Sequence, residues 1–243
     1  MKAMVFAAGL GKRLRPLTDD RPKALVEVGG RTMLEITLKR LQTFGVNEVI
    51  INTHHFAETV GEYLESRKNF GMRIEISREE ILLDTGGGLK KAAYFFSGSD
   101  SQEPFILHNV DVISTIDLAR MINFHTERDA LATLAVQARP TARPLLFDGD
   151  GQFRGRGGQA ALMEEPGMRA LAFSGIHVIS PRIFERIKEE GVFSIIDSYV
   201  HLAGEGEKVV GFRADEYDWR DLGRPENVEQ AARDLANGTL SQD

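Results

Sequence analysis

Short apolar runs alternate with segments of helical period along most of the chain, and this alternation most constrains the fold. The runs cover residues 4–8, 49–51, 105–107, 131–136, 173–179 and 209–212. Several are continuous rather than alternating, the pattern of strands buried on both faces. Between them Met33, Leu34, Leu38, Leu41 and Phe44 recur at helix spacing and run into Gly45, a helix stop. Val60 and Leu64 repeat in the same way, and Leu118, Met121 and Ile122 follow Asp117, a cap residue. Pro181 precedes Ile183, Phe184 and Ile187, and Pro225 precedes Val228, Ala231 and Leu235; each proline suits the first turn of a helix. The alternation predicts an α/β fold with a mostly parallel sheet. No internal repeat and no linker divides the chain, so residues 1–236 are expected to form a single domain. Turn residues crowd 139–169 (Pro140, Pro144, Asp148-Gly149-Asp150-Gly151, Gly157), which predicts a loop-rich insertion over the sheet. The polar residues 237–243 are expected to fray.

Composition narrows the chemistry. The chain has no cysteine, which excludes disulfides, thiolate metal sites and a cysteine nucleophile, and fits a reducing, cytoplasmic setting. The apolar run at the start stops at Gly9, too short for a signal-peptide core or a membrane span. A formal net charge of -6 argues against a nucleic-acid or membrane-surface partner, but leaves room for a local anion site.

Such a site is readable after the first strand. Residues 6–18 read Phe-Ala-Ala-Gly-Leu-Gly-Lys-Arg-Leu-Arg-Pro-Leu-Thr. Ala8, Gly9 and Gly11 bring backbone against a ligand without side-chain interference, and such a nest of N–H groups suits phosphate oxygens. Lys12, Arg13 and Arg15 add full charges. From Lys12 to Lys23 five cations meet two acids, a local +3 on an acidic chain. The loop is neither of the two best-known phosphate loops. Leu14 stands where a dinucleotide fingerprint needs glycine, and Arg13 stands where a P-loop needs serine or threonine. Lys23 follows Pro22, which fixes the local backbone and suits a positioned lysine.

The motif Ala-Ala-Gly-x-Gly-x-Arg-Leu-x-Pro-Leu-Thr, followed by Pro-Lys-x-Leu-Val, resembles that of the sugar-1-phosphate nucleotidylyltransferase family, and the resemblance runs from Met1 to about Ala231. It implies a Rossmann-like three-layer α/β sandwich of the nucleotide-diphospho-sugar transferase type. Its substrates would be an NTP and a sugar-1-phosphate, with Mg²⁺ as cofactor. Within the family the chain is similar to short bacterial uridylyltransferases acting on N-acetylmuramate-1-phosphate.

The remaining assignments lean on that resemblance. Asp111 ends the run after Phe105, and Asp221 lies in Trp-Arg-Asp-Leu-Gly before the last helix. Each alone reads more often as a turn or cap residue. The family's metal-binding aspartates fall on both, and Mg²⁺ suits one or two carboxylates completed by phosphate and water. Val110 departs from the glycine usual before the first aspartate, which bears on how closely substrate approaches. Gly86 and Gly87, in a second glycine cluster, and Asn109 are expected to contact the nucleotide. Glu164, Gly175 and Lys23 are expected on the sugar-phosphate side, and Arg13, Lys23 and Asp111 in catalysis. Glu165 replaces a family lysine after Glu164. The pair His54-His55 diverges in any regular element and reads as structural or solvent-exposed.

Overall fold

The computed structural model describes residues 1–97, 103–157 and 166–238. In chain order the strands are β1 (Lys2–Phe6), β2 (Glu27–Val28), β3 (Arg31–Thr32), β4 (Glu48–Thr53), β5 (Arg73–Arg78), β6 (Phe105–Asn109), β7 (Val112–Ser114), β8 (Ala132–Gln137), β9 (Leu145–Phe147), β10 (Phe153–Arg156), β11 (Arg169–Ile179), β12 (Val209–Arg213) and β13 (Trp219–Asp221). The helices are α1 (Met33–Thr43), α2 (Ala57–Ser66), α3 (Asp84–Lys91), α4 (Ala93–Phe96), α5 (Leu118–Glu127), α6 (Ile183–Arg186), α7 (Ile195–Gly204) and α8 (Pro225–Ala236). The chain divides into two compact units: Met1–Leu82 with His108–Ile116 and Tyr217–Asp243, and Leu83–Leu107 with Asp117–Glu216.

In the first unit β1, β4 and β5 run parallel, with Met4 opposite Ile50 and Ile50 opposite Glu75. Residues 3–6 of β1 and 49–53 of β4 are buried, as their continuous apolar character requires. Helix α1 packs Met33, Leu34, Leu38 and Leu41 inward. Thr32 Oγ1 caps its start by accepting the Glu35 N–H at 3.1 Å, and the expected stop at Gly45 is observed with φ 76°. An antiparallel ribbon of β13 on β7 sets Asp221 opposite Val112, and the Leu222 N–H extends it by donating to the Asp111 carbonyl at 2.8 Å. Pro225 opens α8 as its position predicts.

In the second unit β8 lies between antiparallel β11 and parallel β12. The stretch expected to be loop-rich contains the β9–β10 hairpin, and β9 pairs with β11. The Gln152–Val210 bridge and the Gly211 N–H donated to the Gly151 carbonyl at 2.9 Å lay the hairpin turn against β12. Their shortness and the central turn hid these strands, which bury Leu145, Leu146 and Phe147 on one side of 148–151 and Phe153 on the other. Asp117 caps α5 through the Arg120 N–H, as expected. Pro181 precedes only the single-turn α6. No helix among the described residues is long and apolar enough to cross a membrane.

Candidate active site

The loop after β1 is shaped by contacts that the glycines alone allow. Gly11 adopts φ +61°, and a Cβ there would lie 2.9 Å from the Thr18 methyl and 3.3 Å from Lys23 Cβ. Backbone strain and lack of space both exclude a side chain at this point. Thr18 Oγ1 donates to the Gly11 carbonyl at 3.0 Å, and the Leu14 N–H donates to the same oxygen at 2.8 Å, which closes a single 3₁₀ turn over Lys12–Leu14. Leu14 is buried, whereas Lys12 and Arg13 are exposed.

Behind the loop, β1 is tied down by an amide and a carboxylate far from it in sequence. The Ala7 N–H donates to Asn52 Oδ1 at 2.8 Å, and Asn52 Nδ2 donates to Glu79 Oε1 at 2.7 Å. Asn52 and Glu79 are both buried. A buried amide and carboxylate engaged in this way stiffen the strand end that launches the loop. His54 Nδ1 donates to the Glu79 carbonyl at 2.8 Å and belongs to the same frame, whereas His55 is exposed, in keeping with a structural or solvent-exposed pair.

Lys23 and Asp111 meet under the loop. Lys23 Nζ lies 2.9 Å from Asp111 Oδ2, with side chains only 15% and 14% exposed. A Cβ on Gly9 would lie 3.6 Å from the same ammonium, so the lysine rests against bare backbone. A cleft of about 290 Å³ is lined by Gly11, Lys12, Arg13, Lys23, Asp111 and Gly223, among others. The wall thus presents three cations and one carboxylate around a glycine backbone, an arrangement suited to phosphate oxygens.

Asp221 reaches the neighbourhood through the β13–β7 ribbon. Its Oδ1 accepts the Gly223 N–H at 2.9 Å. A Cβ on Gly223 would sit 2.9 Å from both Arg13 Nη2 and Asp221 Oδ1. Arg13 and Asp221 therefore pack into space that only glycine leaves. Asp111 lines the cleft and Asp221 lies on the adjacent ribbon; carboxylates are the donors that a magnesium ion would take together with phosphate and water. Among the described residues no group of three or more histidine, aspartate or glutamate side chains gathers as a self-sufficient metal cage.

His108, just before this turn, is buried and donates Nδ1–H to the Asn109 carbonyl at 2.8 Å. Burial pushes its imidazole down to about 4, opposed by the Asn109 carbonyl. Asn109 ends β6, and Val110 is fully buried with its N–H donating to the Phe6 carbonyl. Val110 thus packs as core and does not line the cleft.

The other expected residues lie in the second unit. Gly86 and Gly87 are buried inside α3 rather than in a loop before it. The Gly86 N–H donates to the Phe193 carbonyl at 2.9 Å, and Cβ atoms at 86 and 87 would strike the Phe193 ring and the Gly191 carbonyl. Gly175 has φ 75° and sits where the β11–β8 register shifts between Phe173 and His177, a bulge that glycine makes possible. Glu164 and the neighbouring Glu165 lie outside the described residues.

Sequence reasoning passed over Asn52, Glu79, Thr18 and Gly223. Asn52 follows the buried apolar run 49–51 within β4, and a polar residue there is the one signal that marked it. Gly223 stood in the Trp-Arg-Asp-Leu-Gly motif without a role.

The profile of the nucleotidyl transferase family matches residues 2–238. The chain is 34% identical over 234 residues to the N-acetylmuramate alpha-1-phosphate uridylyltransferase of Caulobacter vibrioides, covering 92% of each. It is 27% identical to the D-glycero-alpha-D-manno-heptose 1-phosphate guanylyltransferase of Aneurinibacillus thermoaerophilus, covering 97% of this chain and 98% of that one. The structure of HddC from Yersinia pseudotuberculosis complexed with GMP-PN superposes with a TM-score of 0.77 at 21% identity, covering 96% of this chain and 99% of HddC. That likeness shows the Rossmann-like α/β nucleotide-diphospho-sugar transferase fold. From the matched family profile and the full-length similarity, the chain belongs to the nucleotidyl transferase family, within the sugar-1-phosphate nucleotidylyltransferase superfamily.

Proposed function

We propose that the protein transfers a uridylyl group from UTP to N-acetylmuramate-1-phosphate, releasing pyrophosphate and the UDP-sugar. The reaction class follows from the family; the observation that carries the site assignment is the Lys23–Asp111 pair beneath the 9–13 loop. The 34% identity to the Caulobacter enzyme across 92% of both chains supports the substrate pair.

The attacking oxygen belongs to a sugar phosphate that is already ionised at neutral pH, so no protein base or nucleophile is required. Catalysis then consists of positioning and charge stabilisation. In this reading the backbone of residues 9–13 and Lys12 cradle the triphosphate, Arg13 stabilises the departing pyrophosphate, and Lys23 holds the reacting phosphates. Asp111 and Asp221 would hold Mg²⁺, which supplies neutralisation of charge developing on the pyrophosphate. Gly86, Gly87 and Asn109 are assigned to the nucleotide, and Glu164 and Gly175 to the sugar side.

The similarity to a heptose-1-phosphate guanylyltransferase over nearly the whole of both chains supports an alternative, GTP with mannose- or heptose-1-phosphate. A silent sugar-nucleotide-binding regulator is the reading from another class; the complete set Arg13, Lys23, Asp111 and Asp221 weighs against it. A matrix of five NTPs against several sugar-1-phosphates, scored by pyrophosphate release with Mg²⁺, separates the three. Release with UTP and N-acetylmuramate-1-phosphate is expected. Release only with GTP rejects the uridylyl assignment, and nucleotide binding without release in any combination supports the regulator.

A further inference from the structure

The pairing of Lys23 with Asp111 has a consequence for how a divalent cation reaches the site. Lys23 Nζ sits 2.9 Å from Asp111 Oδ2, both side chains are largely shielded, and the ammonium lies against the bare backbone of Gly9. A magnesium or manganese ion on the same carboxylate oxygen approaches to about 2.0–2.2 Å. The dication and the ammonium would then be only a few ångströms apart in a shielded cleft, with Arg13 and Lys12 adding to the positive field. Like charges at that separation repel strongly, and partial burial weakens the screening that would relieve it.

We propose that Lys23 is a built-in counter-ion for Asp111: it keeps the carboxylate from holding a divalent cation until phosphate oxygens draw the ammonium away. Metal and triphosphate then enter together, and the free protein binds the metal poorly. The inference rests on the assignment of Asp111 to the metal in the proposed function, and goes beyond it in giving Lys23 a second task. A unit charge and a dication about 4 Å apart repel, even in bulk water, by enough to weaken binding more than about tenfold, and shielding strengthens the repulsion. Removing the ammonium is therefore expected to raise metal affinity at least about tenfold.

The test is calorimetric titration of Mn²⁺ alone into the full-length protein, without nucleotide. Lys23→Met keeps the apolar stem and removes the charge; Lys23→Arg keeps a cation. Circular dichroism and the melting temperature check that each variant is folded, and Lys23→Gln is the substitute should methionine fail that check. The expected result is tighter Mn²⁺ binding in Lys23→Met than in wild type by about tenfold or more. Lys23→Arg should stay weak, and the gain should vanish when Asp111→Asn is added. Equal affinity in wild type and Lys23→Met overturns the inference alone, as does a gain that survives Asp111→Asn. Absence of Mn²⁺ binding in every folded variant overturns it together with the metal assignment beneath it.

Discussion

Replacing Gly223 by alanine isolates one geometric claim about the cleft. The added Cβ would lie 2.9 Å from Arg13 Nη2, 2.9 Å from Asp221 Oδ1 and 3.4 Å from Arg13 Cζ. Ordinary contact for such pairs begins near 3.4 Å, so the guanidinium and the carboxylate must each move by about 0.5 Å. Gly223 is not among the residues with positive φ, and the clashing atoms are ends of side chains. Gly223 is buried, but the atoms in the way are side-chain ends, so the fold should survive at a cost of about 1 kcal/mol. The chemistry should not absorb it. A misplacement of about 1 Å can cost about 100-fold in rate, so roughly half of that displacement is expected to cost about tenfold, or about 1.4 kcal/mol of transition-state stabilisation. Pyrophosphate release gives kcat/KM, and thermal melting gives stability in the same preparations. Arg13→Ala supplies the coupling test: in that background Gly223→Ala should cost much less than in wild type, because one of the displaced groups is already gone. Wild-type kcat/KM in Gly223→Ala, or a loss that simply adds to that of Arg13→Ala, would refute the argument that Gly223 positions Arg13.

Asp111→Asn should abolish turnover while leaving the fold intact, since it removes the negative half of the Lys23 pair without changing shape; near-normal rates at saturating Mg²⁺ would contradict the metal assignment. Gly86→Ala is expected to lower stability by about 1–3 kcal/mol through overpacking. Its Cβ would lie 2.3 Å from the Phe193 ring, and the Gly86 N–H bond to the Phe193 carbonyl holds that segment in place. An unchanged melting temperature would show that α3 and residues 191–193 separate freely. His125 is buried and shares a hydrogen bond with Thr133 Oγ1; burial pushes its imidazole from 6.5 down to about 4. The unfolded chain takes up that proton near pH 6.5, whereas the folded protein resists it until about pH 4. Stability is thus complete above the unfolded value and falls as pH drops through the window between them, by at most about 3 kcal/mol from this group. Urea midpoints at pH 7 and pH 5 should differ less in His125→Gln than in wild type, and identical differences would discount the histidine. His108 contributes in the same direction, so part of the slope should remain.

Elements governed by near neighbours were legible in the amino-acid order. The run at residues 4–8, the stop at Gly45, the cap at Asp117 and the proline opening α8 each depend on contacts within about a turn of helix or a strand and its bend. Most of the candidate cleft was legible for the same reason, because Gly11, Lys12, Arg13 and Lys23 lie on one short stretch of chain. The β9–β10 hairpin escaped because its strands are short and its turn residues dominate the local pattern. Glycine is a poor helix former, so the cluster at Gly86 and Gly87 gave no helix signal; their place in α3 depends on packing against residues 191–193.

Residue order by itself thus determined an α/β chain, a cationic glycine loop after the first strand, and chemistry carried without a thiol. The tertiary structure alone decided that Asp111 faces Lys23, that Asn52 and Glu79 anchor the loop from behind, and that Gly223 makes room for Arg13. Those partners are brought together by strand register and by the β13–β7 ribbon, and such pairings arise from burial and hydrogen bonding summed over whole strands, which no local window of residues contains.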